Sequence, residues 1–280
     1  MLYLITFQTY HTFRTFHTLI SLFPSRAVAL SLGPIAIHWY GILYLLGFLI
    51  GVWLLPRIQR YRNITLNHAQ RESLLFHVFL GVLLGGRLGF VLFYGGSFYL
   101  DHPLEIFAVW HGGMSSHGGF IGVTLALVHF ARKNGIDLFA LTDILVIPIA
   151  IGLALGRLGN LINGELYGTL TTLPWGMQFP GAEGSRHPTQ IYAIIKDLFI
   201  AFACFRHLKI TSSEKDSSGK TTALFLMLYA VLRFIVEIFR DQPYGYTQVL
   251  GLMLSRGQLL TVPVFLIGFG IWCWRKSSKK

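Results

Sequence analysis

Charge is what this chain has least of. Asp, Glu, Lys and Arg make up 12% of its 280 residues, about half the share found in soluble domains. With 53% of the residues hydrophobic, that scarcity excludes an ordinary water-soluble domain and points to a membrane protein. Acidic residues are scarcer still, 12 against 23 Lys and Arg, which leaves a net charge of +11. The basic residues do not gather in one arm or on one face with interleaved aromatics, so nucleic-acid binding is excluded. Only two cysteines are present, Cys204 and Cys273, both inside apolar runs. They offer neither a disulfide framework nor a metal spacing, and packing is their expected role. No A-x-A-type cleavage site follows a clean apolar core within residues 1–35. No period of 20–50 residues repeats, and neither half of the chain matches an inversion of the other.

What is abundant is long apolar runs. Seven approach the ~20 residues that a span requires, at roughly 39–56, 74–94, 116–131, 141–161, 189–207, 221–239 and 257–274. The connections on one side (57–73, 132–140, 206–220 and 275–280) hold 14 Lys and Arg, against 5 in 1–38, 95–115, 162–188 and 240–256. The positive-inside rule then puts the N-terminus outside and the C-terminus in the cytoplasm. Segment 162–188 contains Pro174, Gly176, Pro180, Gly181 and Gly184, so a small loop-rich, outward-facing cap is expected there. The cytoplasmic run Thr211–Lys220 reads as a plain solvated connection. The expected fold is an all-α integral membrane protein of seven transmembrane helices. Residues 1–32 form an N-terminal extension of no assigned function, 33–275 a single transmembrane domain, and 276–280 a basic tail.

Polar residues inside such a chain carry the functional information. Gly156–Gly168 reads GRLGNLINGELYG and follows the apolar run Ile144–Leu155. On a helix Arg157, Asn160 and Asn163 share one side, and Glu165 follows. A cation and two amides at membrane depth are costly unless something polar meets them. A snorkelling arginine at a helix end is the structural alternative; a site for an anionic ligand accounts for more of the residues. Leu228–Pro243 spaces Tyr229, Arg233, Glu237 and Arg240 on one helical face. An Arg–Glu pair can neutralise itself there, but Arg233 lies too deep to snorkel, which favours a polar cavity.

His111–Gly119, HGGMSSHGG, puts four glycines around two histidines before the third run, as in a re-entrant or kinked segment. His117 is a candidate general base. A metal site at His111 and His117 lacks a nearby Asp or Glu, so none is expected. Ser115 stands outside a G-x-S-x-G elbow, which removes a serine-hydrolase reading. Gly85-Gly86-Arg87 sets another cation inside a span. His38-Trp39-Tyr40-Gly41 reads, by position alone, as an interfacial aromatic anchor, and Arg186-His187-Pro188-Thr189-Gln190 leads into the fifth run with Pro where a first helical turn tolerates it.

HWYG, GGRLGFVLFY, GGMSSHGGFIG, GRLGNLINGELYG, RHPTQIY and RFIVEIFR, in this order, resemble the prolipoprotein diacylglyceryl transferase family from about Gly33 to the last span. The resemblance implies a seven-span enzyme of the bacterial inner membrane whose site opens toward the outer, periplasmic leaflet. It implies phosphatidylglycerol and the lipobox cysteine of a prolipoprotein signal peptide as substrates, with no cofactor. Arg157 matches the family's phospholipid-binding arginine, Asn160 and Gly168 its other signature positions, and His117 the histidine proposed as base. Tyr40, Tyr229, Arg233 and Glu237 match positions around the lipid site. Arg87, Asn163, Glu165 and Arg240 join the substrate-binding set as neighbours in these motifs. Ser116, His111 and Ala193 depart from the family pattern, and the cap is short, which bears on pocket shape and peptide preference.

The implied reaction suits the residues. A thiol with an ordinary pKa of about 8.5 gains from a base, and a departing phosphate gains from cations such as Arg157 and Arg233. Two rival classes are a transporter or flippase of an anionic lipid and a non-catalytic assembly protein. The first lacks the inverted repeat it should carry, and the second leaves the buried polar clusters without a purpose.

Overall fold

The computed structural model describes residues 20–22, 25–33, 35–108, 112–214, 217–242, 245–249 and 251–277. Helices cover every one of the seven apolar runs: α1 (Trp39–Ile58), α2 (His68–Tyr94), α4 (Ser116–Asn134), α5 (Leu138–Asn163), α6 (Thr189–Ile210), α7 (Lys220–Ile238) and α8 (Arg256–Ser277), with a single turn, α3 (Phe98–Asp101), between α2 and α4. Five of them are long and apolar enough to cross a membrane: α1 with its 3-10 extension, α2, α5, α7 and α8. The fold is thus the mostly helical one expected of a membrane protein. α4 and α6 fall short of that composition; α6 carries Lys196, Asp197 and Arg206, and α4 ends in Arg132 and Lys133.

Local chemistry explains where the helices start. Asn67 and Gln70 form a reciprocal capping box at α2. Ser255 and Gln258 do the same at α8, at 2.9 and 3.1 Å, and Ser115 caps α4 by accepting from Gly118 N at 3.2 Å. Each satisfies amides that the first helical turn leaves unpaired.

Two small antiparallel sheets depart from an all-α chain. Strands β1 (Ile20–Leu22), β2 (Val28–Leu32) and β3 (Ile35–His38) run in that order, and β3 passes directly into α1. The end of the N-terminal extension is therefore folded onto the start of the first helix, since β2 pairs Leu32 with Ile35 and Val28 with His38. The second sheet is a hairpin of β4 (Tyr246–Val249) and β5 (Leu252–Ser255) leading into α8. Each has a glycine at a turn, Gly33 between β2 and β3 and Gly251 between β4 and β5, and strands this short are averaged away by hydropathy windows.

The chain folds as two compact units, Met1–Gly51 with Val146–His207 and Lys220–Lys280, and Val52–Leu145 with Leu208–Gly219. In the second unit α2 and α4 meet along glycines. A Cβ on Gly85 would lie 2.7 Å from Gly122 Cα, and one on Gly89 2.6 Å from Gly118 Cα, so the backbones touch as small-xxx-small helix pairs do. The connection expected to be solvated is instead anchored in this unit. Asp143 is fully buried, accepting from Arg62 Nε at 2.7 Å and from Gly219 N at 3.0 Å. Arg62 also donates to Thr211 Oγ1 at 3.0 Å. A buried carboxylate requires these partners, and they pull both ends of 211–219 inward.

Removing that carboxylate takes from buried Arg62 the acceptor it meets at 2.7 Å. Asp143→Ala is expected to cost about 3–5 kcal/mol of stability, read as a lower thermal midpoint in detergent; an unchanged midpoint would remove Asp143 from its anchoring role.

Candidate active site

The first unit holds most of the polar residues singled out above. Helix α5 ends at Asn163 because Gly164 follows in the left-handed conformation, φ +76°. Gly164 N bonds Leu161 O at 3.1 Å and Glu165 N bonds Asn160 O at 3.0 Å, a Schellman closure. Leu166 is also left-handed, φ +60°, which strains a residue with a Cβ. Two consecutive side chains at the start of α6 hold that turn in place: Thr189 Oγ1 donates to Leu166 O and Gln190 Nε2 to Glu165 O, both at 2.8 Å. Arg26 donates to the helix's last carbonyls, Leu161 O at 3.1 Å and Ile162 O.

The turn places Glu165 where three donors converge on one oxygen. Its Oε1 accepts from Tyr40 Oη at 2.8 Å, Asn160 Nδ2 at 3.0 Å and Asn163 Nδ2 at 3.4 Å. Asn160 also donates to Tyr40 Oη, and its Oδ1 accepts from Arg157 Nη1 at 3.4 Å. Tyr40 is thus more than the interfacial anchor its position suggested: it bridges α1 to the end of α5.

Beside this cluster lies a narrow cavity lined by Arg157, Lys196, Arg233, Arg240, Glu237 and Gln190, together with Leu166, Thr189, Ala193 and Val236. Four of these are basic and one acidic. Glu237, 5% exposed, stands 3.6 Å from both Arg233 and Arg240 and accepts from Gln242 Nε2 at 3.2 Å. Gly257, at the start of α8, has no side chain because a Cβ would collide with that carboxylate. Burial draws the Arg240 guanidinium below its ordinary value, while Glu237 pulls it back up. Lys196 Nζ donates to Asp197 and lies 4.6 Å from the ring centroid of Tyr229, which stacks on Phe225. Gly168 bridges Arg240 backbone to backbone; a Cβ there would stand 2.6 Å from His187 Cβ and meet Phe239 O.

The chain from 168 to 187 doubles back through paired backbone bonds, including Met177 with Arg186 in both directions at 2.9 and 2.8 Å. This is the loop-rich segment expected between α5 and α6. Arg186 ties it to Asp241 at 3.3 Å.

Two of the predicted residues belong to the second unit. His117 is exposed on the first turn of α4. Arg87, 5% exposed, donates to Ile106 O at 2.9 Å, to Gly113 O at 3.1 Å and to the carbonyls of Glu105 and Gly112. All its nitrogens are engaged by backbone, so it holds the segment before α4. His111 lies outside the described residues. Gln190, Lys196 and Gln242 were not singled out for the site in sequence; Gln190 sat in plain view in RHPTQIY, whereas nothing local marks Lys196 or Gln242.

Apolar helices and a cavity ringed by cations define the class: a helical membrane protein with a cationic pocket. Similarity to known proteins narrows this. Residues 27–274 match the model of the prolipoprotein diacylglyceryl transferase family, and this chain belongs to that family. Relatives named phosphatidylglycerol–prolipoprotein diacylglyceryl transferase include one from Bordetella avium, 47% identical over 90% of this chain and 96% of its own. Those from Nitrosomonas europaea and Legionella pneumophila are 41% and 43% identical, over 90% and 89% of this chain and 91% and 96% of theirs.

Tyr40→Phe removes a hydroxyl shared by Asn160 and Glu165. It is expected to cost about 1–3 kcal/mol, measured by thermal unfolding; a variant as stable as wild type would detach Tyr40 from this network.

Proposed function

We propose that the chain transfers the diacylglyceryl group of phosphatidylglycerol to the thiol of a prolipoprotein's lipobox cysteine, releasing glycerol phosphate. The observation that carries this reading is the cavity where Arg157, Arg233, Arg240 and Lys196 outnumber Glu237 in a chain of this family. The thiolate sulfur attacks the glycerol carbon bonded to the phosphate oxygen. A carbon–sulfur bond forms, the carbon–oxygen bond breaks, and its electron pair stays on the departing phosphate. Arg157 and Arg233 stabilise that charge, with Arg240 and Glu237 setting their positions. His117 takes or relays the thiol proton. Tyr40, Asn160, Asn163, Glu165, Gly168 and Tyr229 shape the lipid-binding side, and Arg87 acts through the segment it holds.

The free space in the cavity, about 20 Å³, admits roughly a water. A phosphate therefore enters as the long arginine side chains swing aside.

The same proposal includes the membrane arrangement. All seven helices span the bacterial inner membrane as one catalytic domain, 33–275, with the N-terminus and the 162–188 cap outside and the basic tail in the cytoplasm. The 14-to-5 division of Lys and Arg between the two sets of connections supports it. The Lys196–Asp197 pair lets α6 cross despite its charges.

The test uses purified protein in detergent, phosphatidylglycerol and a synthetic lipobox peptide, following peptide mass and glycerol phosphate release. A diacylglyceryl mass gain, absent with a Cys→Ser peptide, is the expected result; intact peptide and lipid from folded protein would favour lipid transport. Arg157→Ala and Arg233→Ala should each lower kcat about 10²–10³-fold. Near-wild-type turnover by His117→Gln would end its role as base and leave the phosphate clamp standing.

A further inference from the structure

Gln190 is among the most completely buried polar side chains, 1% exposed. Its Nε2 donates to Glu165 O at 2.8 Å. A carbonyl oxygen only accepts, so this bond fixes which end of the amide is which and turns Oε1 away from the turn. No protein donor among the described residues reaches that oxygen. Buried acceptors are rarely left so, and this one belongs to a residue lining the cationic cavity.

The cavity is rich in donors, yet they are directed elsewhere. Arg157 donates to Asn160 Oδ1 at 3.4 Å, Lys196 to Asp197, and Arg233 and Arg240 face Glu237, each at 3.6 Å. That leaves Oε1 open to a donor on a ligand that enters the cavity and displaces the water it admits. A phosphodiester offers only acceptors, which Oε1 repels. An ammonium head group donates, but here it meets four basic side chains against one carboxylate. A neutral donor attached to an anionic lipid remains, which is a hydroxyl.

We propose that Gln190 Oε1 accepts a hydrogen bond from a hydroxyl of the glycerol head group, making Gln190 a specificity-determining residue for the lipid donor. The assignment rests on the transfer reaction proposed above. The cations then hold the phosphate and Gln190 the polyol beyond it, so the leaving group is bound at both ends. An anionic phospholipid without a head-group hydroxyl leaves Oε1 unpaired, and a site built around such a bond rejects the analogue that lacks it.

The experiment compares phosphatidylglycerol with phosphatidylethanol of the same acyl chains, which keeps the phosphodiester charge and lacks the hydroxyls. The full chain transfers from each to the lipobox peptide. Wild type should favour phosphatidylglycerol in kcat/KM by about tenfold to a hundredfold, the range for an unmade buried hydrogen bond. Gln190→Leu should lose rate with phosphatidylglycerol and bring the ratio close to one. Gln190→Leu also cuts the bond to Glu165, but that loss alone lowers both donors alike and leaves the ratio at its wild-type value, an outcome that overturns the proposal. A wild-type ratio near one overturns it as well and needs no variant. If Gln190→Leu does not yield folded protein by gel filtration, Gln190→Met takes its place. Absence of any transfer by folded wild type refutes the reaction itself, whereas equal transfer from both donors refutes only the role of Gln190.

Discussion

One carboxylate oxygen organises the first unit. Glu165 Oε1 accepts from Tyr40 on α1 and from Asn160 and Asn163 at the end of α5, while the same residue's carbonyl is held by Gln190 of α6. Three helices thus meet at a residue that belongs to no helix. Glu165 is itself exposed, so its hold on three donors comes from the accepting capacity of a carboxylate oxygen rather than from burial, and the three bonds set the geometry. With Asn160 Nδ2 committed to Glu165, its Oδ1 is free to accept from Arg157. The orientation of the principal cation therefore follows from an acid that never enters the cavity lining.

Glu237 plays the matching part on α7. It stands between Arg233 and Arg240, takes a further hydrogen bond from Gln242, and is reached because Gly257 presents no side chain. Buried charges persist only when paired and hydrogen-bonded, and here the pairing is incomplete. Lys196 is matched by Asp197, but the arginines exceed the remaining carboxylate. That excess of positive charge is what an anionic head group would neutralise.

The second unit answers a different need. Its helices α2 and α4 approach until backbone meets backbone at Gly85, Gly89, Gly118 and Gly122. Arg87, in the same stretch of α2, spends its guanidinium on the carbonyls of Glu105, Ile106, Gly112 and Gly113. Asp143 and Arg62 fasten the 211–219 connection in the same way. Charges in this unit act as fasteners for irregular backbone, which in an apolar setting has few other ways to satisfy its polar groups.

The sequence by itself determined the helices. Hydropathy located all seven, because a run of about 20 apolar residues leaves the backbone little alternative to bonding with itself. It also exposed the principal cations, since Arg157 and Arg233 stand out against apolar neighbours, and their i,i+3 and i,i+4 companions Asn160 and Glu237 share a face by helical geometry alone. Only the tertiary structure decided what those faces meet. That Tyr40 bonds Glu165 across 125 positions, that Gln190 joins the cavity and that Arg87 is spent on carbonyls depend on contacts between elements. The two small sheets escaped for a related reason: strands of three to five residues owe their existence to pairing with other segments. Periodicity within one segment carries no record of that pairing.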